Sequence, residues 1–114
     1  MKIISNNPLV TEKLENAFFV EGTPLDVFLE VKNHLSSGAS LVSMPLPANQ
    51  RLFMNPYRSI VLDEHSSGLS MKSMQLLETA IERFRMQKFN RSPGREKDFA
   101  LIDLEQVLTA LKVM

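Results

Sequence analysis

Short apolar runs bounded by polar or turn-forming residues recur along the chain and predict four β-strands. Ile3-Ile4 and Ile60-Val61-Leu62 are the clearest examples, and runs of this length between turn residues are typical of buried strands. The predicted strands span residues 2–5, 18–20, 40–43 and 58–63. Residues 99–102 predict either a fifth strand at the edge of the sheet or the lead-in to a helix.

Two helices are predicted between the first three strands. Asn7-Pro8 favours the start of a short helix, because asparagine caps helices and proline fits the first helical turn. Thr23-Pro24 starts a longer helix, in which Asp26 takes the place of the glutamate in a capping box. Gly38 follows the last apolar position of that helix and can adopt the left-handed conformation that ends it.

Two further helices are predicted in the second half of the chain. Ser70 is the predicted cap of the first, which reaches about residue 88 and repeats apolar residues at spacings of three and four. Asp103 is the predicted cap of the last helix, with Gln106 three residues later.

The alternation of strands and helices predicts one α/β domain over residues 1–114. Such an alternation is typical of a layered fold, so we expect a mostly parallel sheet of four to five strands flanked by helices. No helix is predicted between the third and fourth strands, but the connection is long enough for a parallel crossover. An antiparallel pairing of these two strands is the alternative.

Composition narrows the function classes. The 114 residues carry 13 basic and 13 acidic side chains, so no global charge attracts nucleic acid or an anionic membrane, although residues 83–97 are locally basic. The absence of cysteine excludes disulfides, a thiol nucleophile and cysteine-ligated metals. No signal peptide or membrane span is predicted, and a soluble, cytoplasmic protein is expected.

No catalytic constellation or cofactor motif stands out. No serine lies in a nucleophile elbow, and Asp63-Glu64-His65 lacks a further ligand at metal-site spacing. We therefore predict no catalytic residue, metal or cofactor. Methionines at positions 71, 74 and 86 suggest an adaptable binding surface on the third helix, whereas the register of Met74 with Leu77 and Ile81 favours a core position for that residue. A homodimer would most simply bury the surplus apolar surface of this helix.

The candidate site is a long ordered loop over residues 44–59, which holds three of the six prolines of the chain. In open α/β sheets ligands bind beyond the carboxyl ends of strands, where this loop and the Asn6-Asn7 pair would meet. The predicted ligand-binding residues, suited to a small anion, are Asn6, Asn7, Asn49, Arg51, Asn55, Tyr57, Arg58 and Ser59. In the alternative reading, the asparagines cap and turn the chain and the prolines stiffen the loop.

Several segments together resemble the GrdX family. They are residues 3–10, 20–22, 25–27, 45–46 and 55–60, and the similarity continues through residues 73–81. Members of this family are small proteins encoded among the genes for glycine, sarcosine and betaine reductases in amino-acid-fermenting anaerobes. A histidine commonly precedes the Pro-Leu pair of the loop in the family, and Met44 occupies that place here.

The resemblance implies that the gene lies among reductase genes, but it implies no particular reaction for the protein. The reductases use selenocysteine and thiol chemistry, and this chain has no cysteine. The resemblance therefore implies an accessory or binding protein that acts through residues 44–59 and whose partners are subunits of the reductase complex. An enzyme or sensor that binds a small anion or an amino-acid derivative is the alternative.

Overall fold

The computed structural model describes residues 1–43, 56–64, 71–86 and 96–112. These residues form four strands and four helices. In chain order they are β1 (Lys2–Ser5), α1 (Pro8–Lys13), β2 (Ala17–Phe19), α2 (Pro24–Ser36), β3 (Ser40–Leu41), β4 (Ser59–Asp63), α3 (Met71–Met86) and α4 (Glu96–Lys112).

The strands form one mixed sheet in the order β2-β1-β4-β3. β1 pairs in parallel with β2, whereas β4 is antiparallel to both of its neighbours, β1 and β3. The fold is α/β, but the prediction of a mostly parallel sheet is wrong. The prediction took the connection between the third and fourth strands as a parallel crossover, whereas these strands pair antiparallel, as in the stated alternative, and such a pair needs no crossover. β3 and β4 pair directly, which reverses β4 in the middle of the sheet.

The predicted helix starts in the first half of the chain are confirmed. The Leu9 backbone N–H donates to Asn7 Oδ1 at 3.1 Å, and Pro8 follows as the first helical residue. At the start of α2, Asp26 Oδ2 accepts from the Thr23 backbone N–H at 2.8 Å. Gly38 has a φ of +107°, the left-handed conformation expected of the residue that ends α2.

Four predicted elements differ in extent from the structure. β2 begins and ends one residue earlier than predicted, β4 begins one residue later, and β3 has only two residues. Residues 99–102 are neither a strand nor a lead-in, because α4 already begins at Glu96. Asp103 is therefore not a helix cap. It lies inside α4, where its carboxylate accepts hydrogen bonds from other elements. Ser70 lies outside the described residues.

Helices cover both faces of the sheet. The face that carries Ile4, Ile60 and Leu62, here called the apolar face, packs against α2 and α3. The opposite face, here called the mixed face, carries Ile3, Val61 and two serines and packs against α1 and α4. Side chains alternate between faces along a strand, which places Ser5 and Ser59 beside Ile3 and Val61 on the mixed face.

Candidate functional site

A group of polar side chains, all buried except the half-buried Ser59, lies where β1 ends and β4 begins. Because these two strands are antiparallel, the end of one meets the start of the other, and Ser5 pairs with Ser59 in the sheet. The group, here called the polar cluster, consists of Ser5, Asn6, Asn7, Arg58, Ser59 and Asp103. It combines the first loop of the chain, the entry to β4 and the middle of α4.

Asp103 is the acceptor at the centre of the polar cluster. Its Oδ2 accepts from the Ser59 hydroxyl at 2.6 Å and from the Asn7 side-chain amide at 3.0 Å. The two serine oxygens lie 2.7 Å apart, so with the Ser59 proton directed to Asp103, the Ser5 hydroxyl must donate to Ser59. The Asn7 backbone N–H donates to Ser5 Oγ at 2.9 Å and completes a directional chain of hydrogen bonds.

Asn6 fixes the end of the segment that precedes β4. Its Nδ2 donates to the carbonyl oxygens of Gly22 and Pro56, each at 2.9 Å. Its Oδ1 accepts from the Arg58 backbone N–H at 2.7 Å. This one amide therefore joins β1 to the segment at residues 56–58 and to the turn before α2.

Asn7 is equally engaged within the chain. Besides capping α1 and reaching Asp103, its Nδ2 donates to the Ala100 carbonyl at 2.9 Å. Both asparagines thus use their amides to hold elements of the protein together, as expected from the reading in which they cap and turn the chain. Each is at least nine-tenths buried, with Asn6 5% and Asn7 0% exposed.

Arg58 differs from the rest of the polar cluster. The residue is only 7% exposed, and its buried Nε has no hydrogen-bond partner among the described residues. Burial lowers the pKa of the guanidinium from its ordinary value, and the negative charge of Asp103 partly opposes that change. Arg58 is therefore a buried cation whose donors are incompletely paired.

The pKa of Asp103 also departs from its ordinary value, but upward. Burial raises the pKa of this carboxyl, while the hydrogen bonds from Ser59 and Asn7 and the charge of Arg58 work against the increase. The described ion pairs join Lys2 to Glu64, Lys32 to Glu78 and His34 to Glu30, so none of them neutralises Arg58 or Asp103 directly.

The structure brings together four of the eight predicted ligand-binding residues: Asn6, Asn7, Arg58 and Ser59. Tyr57 is adjacent in sequence and half-buried. Asn49, Arg51 and Asn55 lie outside the described residues, as does Met44.

Two members of the polar cluster were missed from the sequence. Ser5 ends a buried strand, and Asp103 interrupts an apolar stripe that continues through Leu104 and Val107. A charged residue inside such a stripe is the signal that could have identified it, since buried carboxylates need specific partners.

The hydrogen bonds of the polar cluster connect elements of the fold and do not form a recognisable catalytic arrangement among the described residues. The Ser59 hydroxyl donates to a carboxylate and does not face a described histidine, because His34 contacts Glu30 and Phe18 instead. The unpaired donor on Arg58 is the feature through which the polar cluster could hold a ligand.

A comparison with known protein families finds a match that covers almost the whole chain. The family model described as GrdX-like protein matches residues 2–112. This confirms the resemblance inferred from segments between residues 3 and 81 and extends it through α4. No curated protein and no solved structure matches the chain. Among the described helices, none has both the length and the apolar character needed to cross a membrane.

Proposed function

The chain belongs to the GrdX-like protein family, and from this premise we propose that it is a non-catalytic accessory protein of the glycine, sarcosine and betaine reductase system. In this proposal it binds a subunit of the reductase complex through residues 44–59. The support is the way in which the structure holds both ends of that segment.

At the first end, β4 anchors the residues that precede the segment. The backbone N–H groups of Val42 and Ser43 both donate to the Val61 carbonyl, at 2.9 and 3.3 Å. The Val61 N–H in turn donates to Ser43 Oγ at 2.9 Å. The chain therefore leaves the sheet from a fixed point in a central strand.

At the second end, Asn6 holds the returning chain. It accepts from the Arg58 N–H and donates to the Pro56 carbonyl, so both sides of Tyr57 are tied to β1. Fixed ends reduce the conformational entropy that a binding segment loses on association, and binding residues are commonly found on loops held by a rigid scaffold.

Affinity capture tests this proposal. Tagged wild-type protein, expressed in cells fermenting glycine or betaine, should recover reductase subunits. The Asn6→Ala variant, which releases the second end, should recover less at equal expression. Asn33→Ala is the matched control, because Asn33 is exposed on α2.

Thermal melts of each variant separate a weakened interaction from unfolding. Repeated capture by wild-type protein without any reductase subunit would contradict the proposal. Equal recovery by Asn6→Ala and wild type would contradict the role of the anchored segment.

A second candidate function is binding of a small anion or amino-acid derivative at the polar cluster. The unpaired buried Nε of Arg58 favours it, since a bound oxyanion would complete the hydrogen bonds of that group. Ligands that bind only the folded state raise the melting temperature. Thermal melts with phosphate, acetate, glycine and betaine should identify at least one stabilising compound, and no shift with any of them would contradict this candidate.

A homodimer is a further part of the proposal. Met71 on α3 is 64% exposed, whereas Met74 packs against the core of the apolar face. Exposed apolar side chains of this kind gain most from burial against a second copy. Light scattering after size-exclusion chromatography should give twice the 12.9 kDa mass of the chain, and a monomer at all concentrations would contradict it.

A further inference from the structure

We infer that Arg58 is the binding residue for a small monocarboxylate. This inference rests on the second candidate function and specifies the class of ligand. The side chain concerned is a cation that the fold buries without supplying a hydrogen-bond acceptor for its Nε among the described residues.

The contrast with the other members of the polar cluster shows why this donor matters. Asn6 and Asn7 use both their amide nitrogens and their oxygens, and Asp103 accepts from two donors. A buried charge without partners is costly, because it loses hydration and receives nothing in return. The fold supplies two donors to its buried carboxylate but leaves the Nε of its buried guanidinium without an acceptor among the described residues, so that acceptor is expected to come from outside the chain.

The shape of the guanidinium selects among oxyanions. Its N–H groups form a planar fork that fits the two oxygens of a carboxylate in a bidentate arrangement. The Nε–H is one member of such a fork, and it is the atom of Arg58 that the described residues leave unpaired.

The charges around the site select a monoanion. Arg58 and Asp103 are the buried charged residues of the described chain, and they attract each other electrostatically. A dianion such as phosphate would bring two negative charges to one cation next to an existing carboxylate. A monocarboxylate adds only one and is therefore favoured on electrostatic grounds.

The proposed site lies beside residues that are not fully buried. Arg58 directly precedes β4, and Pro56 and Tyr57 before it are both partly exposed, so in this proposal the ligand would enter beside them. A ligand at this position would contact the end of the segment that Asn6 anchors. The site therefore adjoins the segment assigned to partner binding.

Acetate is a suitable probe, because it is the simplest stable monocarboxylate with an apolar tail. In ¹H–¹⁵N spectra the Arg58 Nε–H signal should shift with increasing acetate and approach a plateau. Titrations at constant ionic strength with chloride and with phosphate are the controls. Neither should shift that signal in a saturable way.

Two variants make the experiment specific. In the variants, which lack the Nε–H, binding is followed through the backbone N–H signals of residues 57–59, and these signals are also recorded for wild type. Arg58→Gln should bind acetate roughly tenfold to a hundredfold more weakly, since a charge-assisted hydrogen bond is lost. Arg58→Lys keeps the charge but not the fork and should also bind more weakly than wild type. A folded Arg58→Gln variant that binds acetate as tightly as wild type would overturn the inference, as would wild-type protein that shows no saturable shift.

The experimental outcomes distinguish this inference from the second candidate function and from the accessory role. Phosphate binding at Arg58 in preference to acetate would support the second candidate function while overturning the monocarboxylate assignment. The accessory role is scored independently by subunit capture, which does not depend on acetate binding. Wild-type protein that binds acetate but recovers no reductase subunit would contradict the accessory role alone.

Discussion

The two faces of the sheet are buried by different chemistry. On the apolar face, the buried side chains of the core cluster are all apolar: Ile4, Val27, Phe28, Val31, Leu35, Ile60, Leu62, Leu77, Ala80 and Ile81. The mixed face buries a smaller apolar cluster and joins it to the polar cluster around Asp103. Apolar burial is strong but non-directional, whereas hydrogen bonds require particular partners. The apolar face therefore supplies most of the stability, and the mixed face fixes how α4 and the entry to β4 meet.

The largest effect is expected on the apolar face. Phe28 is 1% exposed and packs edge to face with Phe84, with ring centroids 6.2 Å apart. Phe28→Ala should lower the free energy of unfolding by about 3–5 kcal/mol in urea denaturation, through lost transfer energy and a cavity. Phe19→Ala is the matched control, because Phe19 is 46% exposed. Equal losses for the two variants would contradict the assignment of the core.

A smaller but still large effect is expected at the centre of the polar cluster. Asp103→Ala leaves the Ser59 hydroxyl and the Asn7 amide without their acceptor and removes the charge opposite Arg58. The free energy of unfolding should fall by about 2–4 kcal/mol. Asp98→Ala, at an exposed position of the same helix, should change it by less than about 0.5 kcal/mol. A loss at Asp103 no larger than at Asp98 would show that the polar cluster does not hold α4.

Arg58 should respond less strongly than Asp103. Arg58→Met removes the desolvation cost of an incompletely paired cation, but it also removes the positive charge near Asp103, so these two effects should largely offset and stability should change by no more than about 2 kcal/mol. Arg85→Met, at an exposed site on α3, is the control. A loss of several kcal/mol in Arg58→Met would mean that the guanidinium has a structural partner, which would remove the reason to assign it a ligand.

The smallest predicted effect is a pH dependence confined to the mixed face. Burial raises the pKa of Asp103 above its ordinary 3.8, so the folded protein holds this proton more tightly than the unfolded chain. The contribution of Asp103 to stability should therefore fall as pH rises from that ordinary value through the raised one. Urea denaturation of wild type and Asp103→Asn across this range should show wild type gaining relative to the variant as pH falls. A difference that does not vary with pH would contradict the raised pKa.

Short-range signals explain which parts of the fold could be predicted. Asn7 caps α1 and Asp26 contacts Thr23 at the start of α2, and each of these interactions lies within three residues along the chain. Such signals are visible in any local window. The direction of β4 has no local signal, because it depends on pairing with β1 across more than fifty residues. The sheet was therefore mispredicted although most of its strands were located.

The candidate site shows the same limit. Asn6, Asn7, Arg58 and Ser59 could be predicted because they lie at strand ends. The sequence predicts Asp103 to be a helix cap, because Gln106 follows it at capping-box spacing. Its true partners lie 44 and 96 residues away, at Ser59 and Asn7. No pattern along the chain encodes a contact of that kind, and only an unexplained charge within an apolar stripe indicates it.

The reversed central strand also constrains the order in which the protein can fold. β3 pairs only with β4 among the described strands, and the second neighbour of β1 is β4 as well. A nascent chain that ends before residue 59 would therefore have β1 with one open edge and β3 with no partner. Open edges of this kind promote association between chains. During synthesis, β1 and β3 can therefore join one sheet only after β4 has been made.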